Sequence, residues 1–187
     1  MPPKHDKRRA KVLESTVIYK GRVFELRHDR VAEPDGVVTE RDIVVHPGSV
    51  VVLPVFPDGT ALLVRQYRHA VGRYLWELVA GSMDHPGESA VAAARRELIE
   101  EAGYTARRFR KLLDYFPSPG LLGECMHIFL ATGLTAGTAQ PEDDERIEPE
   151  RFRWPEIERM IRNGTICDGK SVAGLLYYLR FVATRKP

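Results

Sequence analysis

One stretch constrains this chain more than any other: Glu88 to Ala102, ESAVAAARRELIEEA. It is rich in Ala, has an acidic residue at its start and stops at Gly103, which predicts a helix. Val91, Ala94, Leu98 and Ala102 recur at helical spacing and form a narrow core stripe. At roughly 100° per residue, Glu101 falls beside that stripe with Glu97 close by. Glu97 also has Glu100 and Glu101 three and four residues ahead, where like charges repel. The fold must therefore leave this face in solvent or bring a cation to it. Carboxylates at the edge of a core are partly desolvated and suit a hard divalent ion with oxygen ligands, typically Mg²⁺.

The residues upstream favour the cation. Glu77-Leu78-Val79-Ala80-Gly81 reads as an apolar strand end, a loop with Pro86-Gly87 follows, and Glu88 opens the helix. In this strand-loop-helix order each part has a task. Gly81 lets the backbone turn and approach a ligand. The Ala80 carbonyl offers a further metal ligand. Glu88 complements the helix dipole, and Arg96 holds a glutamate by a salt bridge.

Elsewhere the pattern is mostly β. Val23–Val31 and Val37–Val45 flank Glu33-Pro34-Asp35-Gly36, which has the composition of a hairpin turn. A lone hairpin is marginal in water, so this one needs the rest of the chain or a second copy to pack on. Ser49 to Phe56, SVVVLPVF, reads as a central strand, and Ala61–Tyr67 returns as its hairpin arm. Trp76–Ala80, Arg110–Tyr115 and Cys125–Thr132 are further strand segments, and Gly133 to Glu150 reads as a polar acidic loop. Pro155–Arg162, stopped by Asn163-Gly164, and Ser171–Phe181 read as helices. Hairpins, a helix, more strands and then helices fit an α+β or α/β/α sandwich better than a doubly wound parallel sheet. The expected organisation is a disordered basic tail at 1–12, a β-sheet at 13–48 and the main domain at 49–187.

Composition excludes several classes. Hydrophobic residues make up 43% and charged residues 29%, ordinary for a globular protein. The net charge of +2 gives no whole-protein field for nucleic acid, although Met1 to Lys11 holds five Lys and Arg. No apolar run approaches the ~18 residues that cross a bilayer, and no secretory signal is evident. Cys125 and Cys167 form neither a zinc pattern nor a disulfide framework, for which a reducing cytoplasm is the simplest expectation; each is read as a small buried residue.

Glu88, seven residues, then Arg96-Glu97-Leu98-Ile99-Glu100-Glu101-Ala102-Gly103-Tyr104 resembles the Nudix box from its first glutamate onward. Six residues, against five in the family pattern, separate Gly81 from Glu88. Val64 to His69, Trp76 to Gly81 and Ser118-Pro119-Gly120 followed by Glu124 are similar to the ADP-ribose pyrophosphatase branch. The resemblance covers about Tyr19 to Phe181. It implies a Nudix α/β/α sandwich with a mixed sheet, plus a small N-terminal antiparallel sheet exchanged or packed within a homodimer. It implies Mg²⁺-dependent cleavage of ADP-ribose to AMP and ribose 5-phosphate, with Mn²⁺ as a substitute metal. Glu97 and Glu101 become the main metal ligands, helped by Glu100 and the Ala80 carbonyl, with Arg96 supporting them. The general base is expected in the acidic loop, at Glu145 first and Glu148 second. Arg68 is the candidate for substrate phosphate, since a guanidinium pairs with phosphate oxygens; Arg65 is a weaker one. Phe24 stacks on adenine or fills a core. Ser118, Pro119 and Gly120 form a substrate loop, while Glu77, Glu124 and Gly81 contact or order the site. His69 and His127 read as packed or surface histidines. The rival readings are a Nudix pyrophosphatase for GDP-mannose or ADP-glucose, a non-catalytic ADP-ribose-binding module, and a nucleic-acid enzyme supported by the basic tail alone.

Overall fold

A computed structural model describes residues 9–140 and 146–183. The chain divides into two compact units: Met1–Pro47 with Ser118–Glu124, and Gly48–Pro117 with Cys125–Pro187.

In the first unit, β1 (Lys11–Lys20), β2 (Glu25–Ala32) and β3 (Val38–Val45) form an antiparallel sheet in that order. Strand β1 starts within the span read as tail, and residues 1–8 lie outside the described residues. The Glu33–Gly36 turn closes the β2–β3 hairpin: the Gly36 N–H donates to the Glu33 carbonyl, and Gly36 adopts a φ of 89°. The segment 118–124 completes the other edge of β3, with Val44 and Leu122 bridged in parallel. Strand β1 leaves Val12, Leu13, Val17, Ile18 and Tyr19 exposed.

The second unit holds two sheets. Strands β5 (Ala61–Arg68), β6 (Arg73–Glu77) and β10 (Ile147–Phe152) lie in the order β10-β5-β6. Strands β4 (Ser49–Pro54), β7 (Val79–Ser82), β8 (Tyr104–Tyr115) and β9 (Met126–Ala136) lie in the order β7-β4-β9-β8. The β4–β9 pair is parallel and its neighbours antiparallel, so this sheet is mixed.

Strand β4 is buried along its whole length, and its alternation divides the core. Val50 and Val52 pack with Leu62, Val64 and Phe129 against α1 (Ala90–Ala102). Val51 and Leu53 pack with Leu78 and Ile128 against Ile157 and Met160 of α2 (Trp154–Arg162) and Leu175 of α3 (Gly169–Phe181). Each sheet face is therefore covered by helix, which is the expected α/β/α sandwich.

Several details depart from the sequence reading. Strand β5 does not return as the hairpin arm of β4: apart from a single Val55–Ala61 bridge, the two pair in different sheets. The segment Trp76–Ala80 is not one strand: Leu78 separates β6 from β7, which pair in different sheets. The stretch 133–150 is not all loop, because β9 runs to Ala136 and β10 starts at Ile147. On α1, Val91 is exposed; the buried stripe is Ala93, Ala94, Glu97, Leu98, Glu101 and Ala102. Two of its six members are carboxylates.

Candidate metal and phosphate site

The site is set by how α1 approaches β7. Helix α1 begins at Ala90, with the Ser89 side chain accepting from the Ala92 N–H, and ends at Gly103 in the left-handed region. Glu88 is thus outside the helix. Its carboxylate does not cap the dipole; it accepts from Arg96 Nε at 3.2 Å and Nη2 at 3.1 Å.

Glu97 and Glu101 both turn toward the β7 backbone. The Ala80 N–H donates to Glu101 Oε2 at 3.1 Å. A Cβ at position 81 would stand 1.9 Å from Glu97 Oε1, so this carboxylate occupies the space that glycine leaves open. Only a residue without a side chain permits that approach. Glu97 is 8% exposed and Glu101 4%. Burying carboxylates costs several kcal/mol each unless partners satisfy them. Arg96 meets part of that cost: Nη1 donates to Glu97 Oε1 at 2.6 Å and to Glu100 Oε2 at 2.9 Å, and Nη2 to the Ser82 carbonyl at 3.3 Å. Burial works against the Arg96 charge, but its bonds to Glu88, Glu100 and Glu97 outweigh this and raise its pKa above the ordinary arginine value. One arginine thereby serves three carboxylates.

A second buried cluster adjoins the first through β6. The Glu77 carboxylate, 1% exposed, receives Arg68 Nε at 2.8 Å and Nη2 at 2.7 Å. Lys170 Nζ at the start of α3 donates to the same carboxylate and lies 3.0 Å from Asp168 Oδ2. Burial pushes the Glu77 carboxyl up, but Arg68 and Lys170 overcome it and hold it below the ordinary glutamate value. The Ser171 hydroxyl donates to Asp168 at 2.6 Å and accepts from the Leu78 N–H at 2.7 Å, tying α3 to the chain between β6 and β7. Lys170, Asp168 and Ser171 were not singled out from sequence. They lie over ninety positions from Glu77, and only the Asp-x-x-Ser cap pattern marks that end of α3.

The structure brings together Ala80, Gly81, Arg96, Glu97, Glu100 and Glu101, with Glu77 and Arg68 beside them: the Glu101 charge helps raise the pKa of Arg68. Glu148 is exposed on β10 and lies 3.4 Å from Arg65. Its neighbour Ile147 packs on the α1 side of the core, so strand alternation turns Glu148 the other way. Glu145 lies outside the described residues. In the first unit, Phe24 is exposed and packs on Tyr19 at 5.9 Å. Ser118-Pro119-Gly120 forms a tight turn, with the Leu121 and Leu122 N–H groups donating to the Ser118 carbonyl. Glu124 is buried 3.6 Å from His46 Nδ1. Neither cysteine is fully buried, contrary to expectation: Cys125 is half-buried and Cys167 exposed beside Arg73.

Two buried carboxylates held against a strand backbone, with a third nearby and one shared arginine, form an oxygen-donor set suited to a hard divalent cation. A NUDIX domain model matches residues 45–173. An ADP-ribose pyrophosphatase of Mycobacterium tuberculosis is 35% identical over 167 residues, covering 88% of this chain and 80% of the relative. A GDP-mannose pyrophosphatase of Klebsiella pneumoniae is 36% identical over 142 residues, 71% of this chain and 70% of the relative. A crystal structure of an ADP compounds hydrolase superposes with a TM-score of 0.80 at 21% identity, over 95% of this chain and 96% of that one. The chain belongs to the NUDIX family of hydrolases. Enzymes of this family generally use divalent metal ions.

Proposed function

We propose that the chain is a Mg²⁺-dependent ADP-ribose pyrophosphatase, releasing AMP and ribose 5-phosphate. The observation that carries this reading is the convergence of Glu97 and Glu101 on the β7 backbone at Gly81 and Ala80. Glu97, Glu101, Glu100 and the Ala80 carbonyl would hold Mg²⁺, with Mn²⁺ able to replace it. Bound there, the ion supplies charge neutralisation of the pyrophosphate and an activated water. The protein's own groups do the rest. Arg96 fixes the carboxylates of Glu97 and Glu100. Glu77, itself held by Lys170, fixes Arg68, whose guanidinium would bind substrate phosphate. Glu145 remains the first candidate for the base that takes the proton from water. Glu148 remains the second, although its partner in the structure is Arg65. Phe24 would stack on the adenine, Ser118-Pro119-Gly120 would form a substrate loop, and Glu124 would contact or order the site. The protein acts as a cytoplasmic homodimer through its N-terminal sheet, a reading supported by the apolar residues exposed along β1.

The ADP-ribose choice rests on the M. tuberculosis relative, which matches over more of both chains than the K. pneumoniae GDP-mannose pyrophosphatase. That second relative supports GDP-mannose as the alternative substrate. The test is AMP release from ADP-ribose by the purified protein, with Mg²⁺ and then EDTA, beside ADP-glucose, GDP-mannose and NADH. Metal-dependent turnover favouring ADP-ribose is expected. Preference for another substrate would overturn the choice, and tight ADP-ribose binding without turnover would make the chain a binding module.

A further inference from the structure

A second set of metal-ligand side chains lies outside the acidic helix. Asp114 on β8 and His127 on β9 are directly opposite in the antiparallel register. His127 Nδ1 lies 2.6 Å from Asp114 Oδ1. Cys125 stands two residues before His127, and its carbonyl accepts from the Ser49 N–H at 3.0 Å as the chain enters the β4–β9 pairing. Side chains two apart on an extended chain share a face, which brings the Cys125 sulfur to the same patch. One ligand atom from each of the three residues lies within 4.8 Å of the others. Lys111 Nζ holds the second Asp114 oxygen at 2.7 Å.

We propose that Asp114, Cys125 and His127 form a binding site for a borderline-soft divalent ion such as Zn²⁺, distinct from the glutamate site on α1. The donor chemistry separates the two. The α1 site offers only oxygens, which suit a hard ion. This patch offers one sulfur, one imidazole nitrogen and one carboxylate oxygen, a set that Mg²⁺ disfavours and Zn²⁺ accepts in tetrahedral geometry with water as the fourth ligand.

The sheet register sets the spacing. Gly81 pairs with Val50, Val50 with His127, and His127 with Asp114. Gly81 and His127 are therefore two strands apart, about 10 Å at ~4.8 Å per strand, so an ion here shares no ligand with Glu97. Its entry replaces the Asp114–His127 hydrogen bond with two metal bonds and repels the Lys111 ammonium. The Cys125 thiol must lose its proton to ligate, so binding releases a proton and tightens as pH rises. The ligands also bracket residues 115–124 in the sequence, so an occupied site would tie the two ends of that segment together.

Titration of the full chain with Co²⁺ tests the proposal, because cobalt bound to a thiolate shows a near-ultraviolet charge-transfer band that an all-oxygen site lacks. A band saturating at one equivalent is expected, absent in Cys125→Ser and requiring at least tenfold more Co²⁺ in His127→Gln. Cys167→Ser and the Glu97→Gln/Glu101→Gln double variant should keep it. Zn²⁺ should displace the cobalt and remove the band, whereas excess Mg²⁺ should not. No band in the unaltered protein, or a band that survives Cys125→Ser, would overturn the site. Either result leaves the pyrophosphatase reading standing, since that reading depends on Mg²⁺ and AMP release.

Discussion

The two buried charge clusters of the second unit use the same side-chain types in opposite proportions. At Glu77 one carboxylate receives two cations, Arg68 and Lys170, with Asp168 on the far side of the lysine. On α1 one cation, Arg96, is divided among Glu88, Glu97 and Glu100. The first cluster is balanced within itself and reads as a joint that locks β6 to α3. The second carries an excess of negative charge, as the proposed metal site requires.

This contrast can be broken in graded ways. Glu101→Gln removes a ligand of the proposed metal site and should lower turnover by about a hundredfold or more. Its melting temperature should hold or rise, since a buried charge is lost. Near-normal turnover would remove Glu101 from the metal site. Glu77→Gln instead strips the joint and leaves Arg68 and Lys170 facing a neutral group. About 3 kcal/mol of stability should be lost, toward the low end for a broken buried pair because Arg68 keeps part of its surface in water. Denaturant unfolding of both variants side by side makes the comparison direct.

The same joint predicts an acid response. The Glu77 carboxyl titrates lower in the folded chain than its ordinary value of 4.5. Its contribution is fully present above that ordinary value and is lost as pH falls through the folded one. Melting temperature should therefore fall with pH below about 4.5, and Glu77→Gln should flatten part of that fall. An unchanged slope would show that other carboxylates govern it.

Gly81→Ala is the finer probe. The added methyl would meet the Glu97 carboxylate and displace it, costing activity by about tenfold or more with little change in melting temperature. Full activity would mean that Glu97 leaves the strand without consequence. Smallest of all, Ser89→Ala removes the α1 cap and should cost about 1 kcal/mol in unfolding free energy with unchanged metal dependence.

How far the sequence revealed these features depended on how local their causes were. Helix α1 and β4 were legible because composition, periodicity and the stop at Gly103 all lie within the segments. The acidic cluster was legible for the same reason, since Glu97, Glu100, Glu101 and Arg96 lie within two turns and Gly81 shortly before them. The break at Leu78 was not legible, because it exists only through pairing of β6 and β7 in different sheets. The Glu77 joint was hidden too, with its lysine in the last helix. The buried stripe of α1 was misread at Val91 because periodicity ranks residues by polarity, and here Glu97 takes an inward position that an apolar side chain would otherwise hold.

The missing side chain at position 81 has one more consequence. Glu101 is tied to the main chain of β7, and Glu97, held by Arg96, fills the space beside that main chain. A main-chain datum does not shift when neighbouring side chains are exchanged, so long as the strand stays paired. The proposed metal site and the choice of substrate can then drift apart in evolution: pocket residues elsewhere are free to change while the carboxylates stay against β7. Relatives acting on ADP-ribose and on GDP-mannose, each about a third identical to this chain, are what such a separation allows.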